Sequence, residues 1–340
     1  MVDEQTRRVD SRPTATPSVD RQVVLHLKGD GTANLHRICG WIGEQVINRS
    51  GPGSKAASWN GSGMLENVLA VANGEVDVAV ATPACAVALA CAGRIAGVPP
   101  MAHLRALGTL PQYDRLVFAV RSDLGVCTFD DLRDLSAPLR ISAWPDDHEA
   151  FIGIGARVLL NGVGLGEPEL QRRGGEIVEF PSARTARPGE AWHDRVFGPI
   201  RSGAADAVIM EAIMVQAWRD LATDPGLCFL SLGDDDVKRI ESSHGWPIAS
   251  LPGGYFPGQQ GAVRALEFSD FLVMCRDDLP RDLGHLIAWS MGETRAVIEA
   301  QYRHLPPERS PLTYPLDPHK MARTTIPLHL GAAEYYEQLA

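Results

Sequence analysis

The sequence predicts an α/β fold spread over about two domains. Its 340 residues amount to about twice the length of an ordinary domain. Short apolar runs that end in glycine-containing turns alternate with segments of helical apolar spacing, which is the pattern of strand and helix units. Some of these runs are apolar throughout, which is typical of strands that are covered on both faces of a parallel sheet.

The first half of the chain predicts these units in order. Gly29-Asp30-Gly31 stops the first strand, 23–28, and a helix follows over 35–46. Gly74 closes the next helix, 64–73. The further elements predicted here are a strand at 76–81, a helix at 84–92, strands at 105–109 and 116–120, a short helix at 130–135, a strand at 139–143 and a helix at 149–161.

The second half continues the pattern. Strands are predicted at 176–180, 207–210 and 268–275, and a polar loop is predicted at 182–195. The spacing of apolar residues at 283–302 predicts one long amphipathic helix. Five prolines within 306–318 predict an extended crossing segment.

Composition and motifs exclude several classes of function. The 32 basic and 42 acidic residues give a formal net charge of −10, which argues against nucleic acid or an anionic membrane as the main partner. No apolar run is long enough for membrane insertion. The chain has no phosphate-binding loop, nucleophile elbow, dinucleotide motif or Cys-x-x-Cys pair, so we predict no cofactor and no metal.

The start of the chain and its cysteines bear on the compartment. Residues 1–22 are polar and rich in proline, serine and threonine, which predicts a disordered arm without a secretory signal. Six scattered cysteines in apolar surroundings read as buried free thiols. Both observations predict a cytoplasmic protein; if a signal peptide was removed ahead of this start, the location is periplasmic.

Four stretches of the chain follow one another in a recognisable order. They are GSGMLENVLAVANGEVDVAVAT at 61–82, GAADAVIMEA at 203–212, LPGGYFPG at 251–258 and IPLHLGAAEYYE at 326–337. Together they resemble the signatures of the TAXI family of TRAP-transporter solute receptors, here without a signal peptide. The resemblance covers nearly everything after residue 23.

This resemblance implies a two-lobed, periplasmic-binding-protein-like (type II) α/β fold with a central ligand cleft. Beyond the arm, the first lobe is predicted at 23–119 plus 263–340 and the second at 120–262. The function it implies is a solute-binding protein that closes on a small organic carboxylate, with TRAP membrane subunits as partners. In place of the glycine-rich anion cradle usual in the family, this chain has WPDDHE at 144–149.

Nine residues are candidate ligand contacts. The amide, hydroxyl and carboxyl groups among them stand where a strand ends or a helix begins, where capping is the alternative reading. Arg115 can pair with a ligand carboxylate or with Asp114 or Asp123. Trp144 is either a stacking wall or a core residue, and Tyr255 lies in a glycine-rich loop that suits a hinge or lid. The nine are Asn34, His36, Ser62, Glu66, Asn67, Thr82, Arg115, Trp144 and Tyr255.

A second function remains open on the same fold, that of a cytoplasmic enzyme. His148 stands beside carboxylates such as Asp147, and Glu211 ends an apolar strand that points to the cleft. A histidine and a carboxylate in one turn can exchange protons with a substrate. These three residues would then be catalytic, in a decarboxylase, isomerase or hydratase (lyase) that acts on a small carboxylate, aromatic or not, without a nucleotide cofactor. The alternative for the run around His148 is an acidic first turn of a helix.

Overall fold

Two β-sheets form the framework of the protein in a computed structural model that describes residues 16–30, 34–61, 63–146, 150–179, 192–212 and 216–339. Its strands are β1 (Val24–Asp30), β2 (Lys55–Gly61), β3 (Val78–Ala81), β4 (Leu104–Leu110), β5 (Arg115–Arg121), β6 (Arg140–Ala143), β7 (Glu176–Glu179), β8 (Ala207–Glu211), β9 (Leu227–Leu230), β10 (Ile248–Leu251), β11 (Val263–Glu267) and β12 (Phe271–Arg276).

Helices cover these sheets. They are α1 (Asn34–Ile47), α2 (Met64–Ala72), α3 (Ala84–Cys91), α4 (Phe129–Asp134), α5 (Phe151–Gly162), α6 (Glu167–Arg172), α7 (Trp192–Arg201), α8 (Gln216–Leu221), α9 (Asp234–His244), α10 (Arg281–Glu293), α11 (Arg295–Glu299), α12 (Pro318–Met321) and α13 (Leu330–Glu337). None of the helices in the described ranges is both long and apolar enough to span a bilayer.

The first sheet has the strand order β2-β1-β3-β12-β4. Its first three strands are parallel, and β12 runs antiparallel to both β3 and β4. All four residues of β3 are buried: Val78 and Val80 contribute to the apolar cluster on one face, and Ala79 and Ala81 to the cluster on the other. The continuous apolar run of this strand therefore has the predicted cause, helices on both faces of the sheet.

The second sheet repeats this order as β7-β6-β8-β5, with β9 on the far edge of β5. Strands β6, β7 and β8 are parallel, and β5 runs antiparallel to β8. Strand β11 joins the same edge of β5, and β10 pairs with β11. Two α/β sheets of matching order, connected by two chain crossings, form the two-lobed, type II periplasmic-binding-protein fold, and the predicted fold class is confirmed.

The crossings lie close to the predicted lobe boundaries. The chain passes from β4 to β5 through residues 111–114 and returns from β11 to β12 through residues 268–270. Strands β5 and β11 thus belong to the second sheet, whereas the predicted boundaries at 119/120 and 262/263 place them with the first lobe. Both strands hydrogen-bond to neighbours in the second sheet, and this pairing is what assigns them there.

The end of the predicted N-terminal arm packs against the first lobe. Val19 is 2% exposed, and its backbone N–H donates to the carbonyl oxygen of Arg49 at 2.9 Å. Arg21 forms an ion pair with Asp282 at the start of α10. Residues 16–22 therefore have defined contacts, and residues 1–15 lie outside the described part of the chain.

The predicted helix at 283–302 is interrupted at Thr294, between α10 and α11. The hydroxyl of Thr294 donates to the carbonyl oxygen of Ser290 at 2.7 Å and accepts a hydrogen bond from Trp41 Nε1 at 2.8 Å. A side chain that bonds back to the preceding turn bends helices, and Trp41 holds this one from α1. Of the predicted loop at 182–195, residues 192–195 begin α7, and the rest lies outside the described residues.

Candidate functional site

The two crossings hydrogen-bond to each other between the lobes. Asp270 N donates to Gln112 O at 3.2 Å, and Phe268 N donates to Asp114 O at 3.3 Å. Asp270 has a φ of 68°, a conformation that few residues with a side chain adopt. Its carboxylate accepts a hydrogen bond from Gln112 N at 3.2 Å, which fixes this turn to the other crossing. The two crossings, residues 111–114 and 268–270, are therefore hydrogen-bonded to each other between the lobes, and we call this pair of segments the floor.

Three carboxyl groups come together near this floor: Asp30 ends β1, Glu211 ends β8, and Asp114 precedes β5. Burial, with the nearby charge of Asp30, raises the pKa of Glu211 to about 7. Burial and the charge of Glu211 raise the pKa of Asp114 well above its usual range. Asp114 is fully buried and accepts hydrogen bonds from Arg115 N at 2.7 Å and Gln112 Nε2 at 3.0 Å. Within the described ranges, no cluster of His, Cys, Asp or Glu is placed to hold a metal ion.

Two further polar side chains are buried at the same floor. Thr82 directly follows β3 and is 4% exposed, and Gln112 on the first crossing is 7% exposed. Ala84 N donates to Asp270 O at 3.1 Å, so the chain after β3 contacts the second crossing. Thr82 Oγ1 and Gln112 Oε1 have no hydrogen-bond partner within the described part of the chain. Such buried polar atoms cost about 1–3 kcal/mol each unless a ligand or water satisfies them.

Arg115, a predicted ligand contact, is committed to protein partners. Its Nη1 donates to Glu267 Oε1 at 2.9 Å, and its guanidinium carbon lies 4.5 Å from the centroid of the Tyr113 ring. The ion-pair partner is therefore Glu267 rather than Asp114 or Asp123, the two that the sequence offered. Arg115 Nε is buried and has no hydrogen-bond partner within the described ranges.

Tyr255 lies in the loop that the sequence assigned to a hinge or lid. It is 6% exposed, and its hydroxyl donates to Ala212 O, just after β8, at 3.0 Å. Its ring lies 6.4 Å from that of Tyr113, and the guanidinium of Arg309 lies 5.8 Å from it on the other side. In this structure the phenol ties the loop to the end of β8. Its role as a ligand contact stays a prediction.

The candidates after the first strand lie on α1. Asn34 begins this helix, and its Oδ1 accepts a hydrogen bond from the Tyr302 hydroxyl at 2.7 Å. This contact joins α1 to the segment after α11, so Asn34 has a structural partner within the first lobe. His36 is exposed in the first turn of α1. Contact of either residue with a ligand stays a prediction.

The candidates at the start of α2 have structural contacts. Lys28 Nζ donates to Glu66 Oε1 at 2.9 Å, which ties β1 to this helix. Asn67 is fully buried, and its Nδ2 donates to Val80 O at 3.0 Å. A side chain at Gly61 would collide with Asn67 Oδ1, because its first carbon would lie 2.0 Å away. Gly61, Glu66 and Asn67 therefore help to pack α2 onto the sheet. Asn67 Oδ1 has no hydrogen-bond partner within the described residues, and contact of Glu66 or Asn67 with a ligand stays a prediction.

Replacing Glu66 by glutamine is expected to lower the free energy of unfolding by about 1 kcal/mol, because the variant loses one half-buried ion pair with Lys28. Urea unfolding of Glu66→Gln, Lys28→Met and the double variant measures the coupling between the two side chains. The double variant should lose less unfolding free energy than the sum of the losses in the two single variants. If Glu66→Gln leaves stability unchanged but weakens ligand binding, the residue is a ligand contact instead.

Three predicted residues, Ser62, Asp147 and His148, lie outside the described residues. Trp144 is half-buried after β6, where it packs against the larger apolar cluster, and its carbonyl oxygen accepts a hydrogen bond from Arg157 Nη1 at 2.8 Å. The structure thus supports the core reading of Trp144 without testing a stacking role.

The structure brings four of the predicted residues to the crossings or to the strand ends beside them. They are Thr82, Arg115, Glu211 and Tyr255. Sequence reasoning missed Asp30, Gln112, Asp114 and Asp270 as site residues. A signal was present for Asp30, because it stands in the glycine turn after the first strand.

Comparisons with known proteins agree at the level of the fold. No family model matches the chain, and no curated protein matches its sequence. A solved protein of Bordetella bronchiseptica RB50 is similar at a TM-score of 0.50, with 11% identity over 93% of this chain and 98% of that one. XAC2383 of Xanthomonas citri, solved with ATP, is similar at a TM-score of 0.46, with 11% identity over 94% of this chain and 97% of that one. PhnD1 of Prochlorococcus marinus, solved with methylphosphonate, is similar at a TM-score of 0.42, with 13% identity over 79% of this chain and 82% of that one.

Proposed function

We propose that this protein is a solute-binding protein whose two lobes close on a small organic ligand. The observation that carries the proposal is the set of buried polar groups at the crossings. Thr82 Oγ1 and Gln112 Oε1 have no hydrogen-bond partner within the described residues. Gln112 donates to Asp114, whose protonation is influenced by Glu211 at the end of β8 in the second lobe. Buried polar groups at the crossings between two lobes suit a ligand that supplies the missing hydrogen-bond partners.

The finer proposal is a TAXI-like receptor that takes a small carboxylate and delivers it to TRAP membrane subunits. The four sequence signatures support the family, and the unpartnered Nε of Arg115 supports a carboxylate at one end of the ligand. Delivery to membrane subunits takes place in the periplasm. A cytoplasmic location would instead suit an enzyme or a soluble receptor.

Glu211 gives a specific reason to keep an enzyme as the second candidate. A carboxyl group whose pKa lies at about 7 can donate or accept a proton near neutral pH, which general acid and base catalysis requires. The group is half-buried at the end of β8, beside the carboxyl groups of Asp30 and Asp114. In this case Glu211 would act on a small carboxylate, with His148 and Asp147 as further candidates.

One experiment separates the two functions. The purified protein is incubated with a small-molecule cell extract, washed on a membrane that retains the protein, and then denatured so that mass spectrometry identifies what it held. A receptor returns one enriched solute unchanged after hours of incubation. An enzyme depletes a compound and accumulates its product. If no compound is enriched or depleted, the proposed function is wrong.

A matched pair of variants locates the binding site in this experiment. Thr82→Val removes the buried, unpartnered hydroxyl while keeping the shape of the side chain, so less solute should be retained. Thr223→Val removes an exposed hydroxyl elsewhere in the second lobe and should retain as much as the unmodified protein. Equal retention by both variants would place the site away from the crossings.

A further inference from the structure

We propose that the solute held in this cleft carries a positively charged nitrogen, and that Asp114, Glu211 and Asp30 receive it. The inference rests on the proposed function and names the chemical class of the ligand. It differs from what the family resemblance implies, because a carboxylate alone would bring negative charge to a site that is already acidic.

The charge around the floor is the first observation. Asp114 is fully buried, Glu211 is half-buried, and the two carboxyl groups are close enough to influence each other's protonation. The charge of Asp30, which ends β1 in the first lobe, also acts on Glu211. Within the described ranges, neither Asp114 nor Glu211 forms an ion pair with a basic side chain. Buried carboxyl groups in proteins are usually paired, because leaving water costs them several kcal/mol.

Arg115 offsets the charge of Asp114 only in part, because its guanidinium is paired elsewhere. Its ion pair is with Glu267, whose Oε1 also accepts a hydrogen bond from Ser269 N at 2.8 Å. Its guanidinium face covers the ring of Tyr113. Arg115 is therefore the ion-pair partner of Glu267, and Asp114 and Glu211 have no basic ion-pair partner within the described ranges.

Gln112 provides the second, independent observation. It is 7% exposed, and its Nε2 donates to Asp114 Oδ2 at 3.0 Å, so its Oε1 is the free end of an amide that lies against the acidic group. Oε1 is an acceptor, and it has no donor within the described part of the chain. A buried acceptor needs an N–H or O–H donor, which neither an ionised carboxylate nor a carbonyl of a ligand can supply. The carboxyl groups beside it favour a donor that carries positive charge.

A protonated organic nitrogen meets both requirements. An ammonium group offers three N–H donors and an amidinium or guanidinium group offers more, and each brings a positive charge that can pair with Asp114 and Glu211. Hydrogen bonds of this kind, with charge on both partners, are about twice as strong as neutral ones. The same solute can carry a carboxylate at its other end, which keeps the inference compatible with the proposed function.

The test uses a series of ligands that differ in charge and match in length. Succinate has two carboxylates, 4-aminobutanoate has one carboxylate and one ammonium group, 1,4-diaminobutane has two ammonium groups, and 1,4-butanediol is neutral. Homologues from two to eight carbons cover other spacings. Isothermal titration calorimetry on the full chain measures each dissociation constant, with magnesium chloride as a separate probe for a bare metal ion.

We expect only compounds with an ammonium group to bind, and Glu211→Gln to weaken that binding by about tenfold or more. The control variant Glu241→Gln, which changes an exposed carboxylate on α9, should bind like the unmodified protein. Binding of the dicarboxylates alone overturns the inference and leaves the proposed function intact. Binding of magnesium alone, or of nothing in the series, also overturns it, and the extract experiment then decides the proposed function separately.

Discussion

Replacing Trp218 by alanine is expected to lower the free energy of unfolding by about 3–5 kcal/mol. Trp218 is fully buried on α8, and its ring centroid lies 4.8 Å from that of Phe197, 5.4 Å from Phe229 and 5.3 Å from Phe256. Its indole Nε1 donates to the carbonyl oxygen of Glu211 at 2.8 Å. The alanine variant loses this aromatic packing, leaves a large cavity and removes the hydrogen bond that anchors the backbone of Glu211.

Urea unfolding measures this loss as a lower midpoint at an unchanged slope. Trp218→Phe is the control, because it keeps an aromatic ring in the cluster and removes the indole N–H, at an expected cost of about 1–2 kcal/mol. Because Trp218 holds the backbone of Glu211, the alanine variant should also bind the solute more weakly. If it unfolds within about 1 kcal/mol of the unmodified protein, the aromatic cluster does not stabilise the second lobe.

Strands that are apolar along their whole length were predictable from the sequence. β3, β5, β8 and β12 are such runs, and their burial in the structure has one cause, since each lies inside a sheet with neighbours on both edges. The local signal and the tertiary environment agree for these strands, so pattern reasoning locates them within a few residues.

Strand β2 shows why other elements were not predictable. Its sequence, KAASWNG, has no apolar alternation, and most of its residues are exposed, Trp59 at 56%. The strand exists because all seven of its residues pair with β1. Strands β9, β10 and β11 are only four or five residues long; β9 and β11 pair with β5, far earlier in the chain, and β10 pairs with β11. Such pairing leaves no periodic signal in the sequence.

The same distinction applies to the site. Glu211 was predictable because it directly ends an apolar strand, and strand ends in this fold meet at the cleft. Asp114 was not, because its importance depends on complete burial and on Glu211, about a hundred residues away in the chain, which only the packed structure reveals. Arg115 illustrates the reverse case: its neighbours in the sequence suggested Asp114 or Asp123 as the protein partner of its ion pair, and packing provided Glu267 instead.

Glu211→Gln is expected to make the protein more stable, and increasingly so as the pH rises. In the folded protein the pKa of Glu211 is raised from 4.5 to about 7 by burial and by Asp30. Between these values the folded chain keeps a proton that the unfolded chain has lost, so stability falls as the pH rises through this range and levels off above it. The shift corresponds to at most about 3 kcal/mol, because each unit of pKa is worth about 1.4 kcal/mol.

The expected result is a difference in the free energy of unfolding between Glu211→Gln and the unmodified protein that is near zero at about pH 4 and approaches 3 kcal/mol at about pH 8. Taking this difference removes the contribution of carboxylates elsewhere whose pKa is lowered by ion pairs, such as Asp206 beside Arg140. Urea unfolding at several pH values without ligand measures it, and Glu241→Gln should show a difference near zero throughout. A difference that stays constant with pH would mean that Glu211 titrates as it does in the unfolded chain. A carboxylate that destabilises the empty protein is the cost expected of a group kept for its ligand, since selection for stability alone would have replaced it by glutamine.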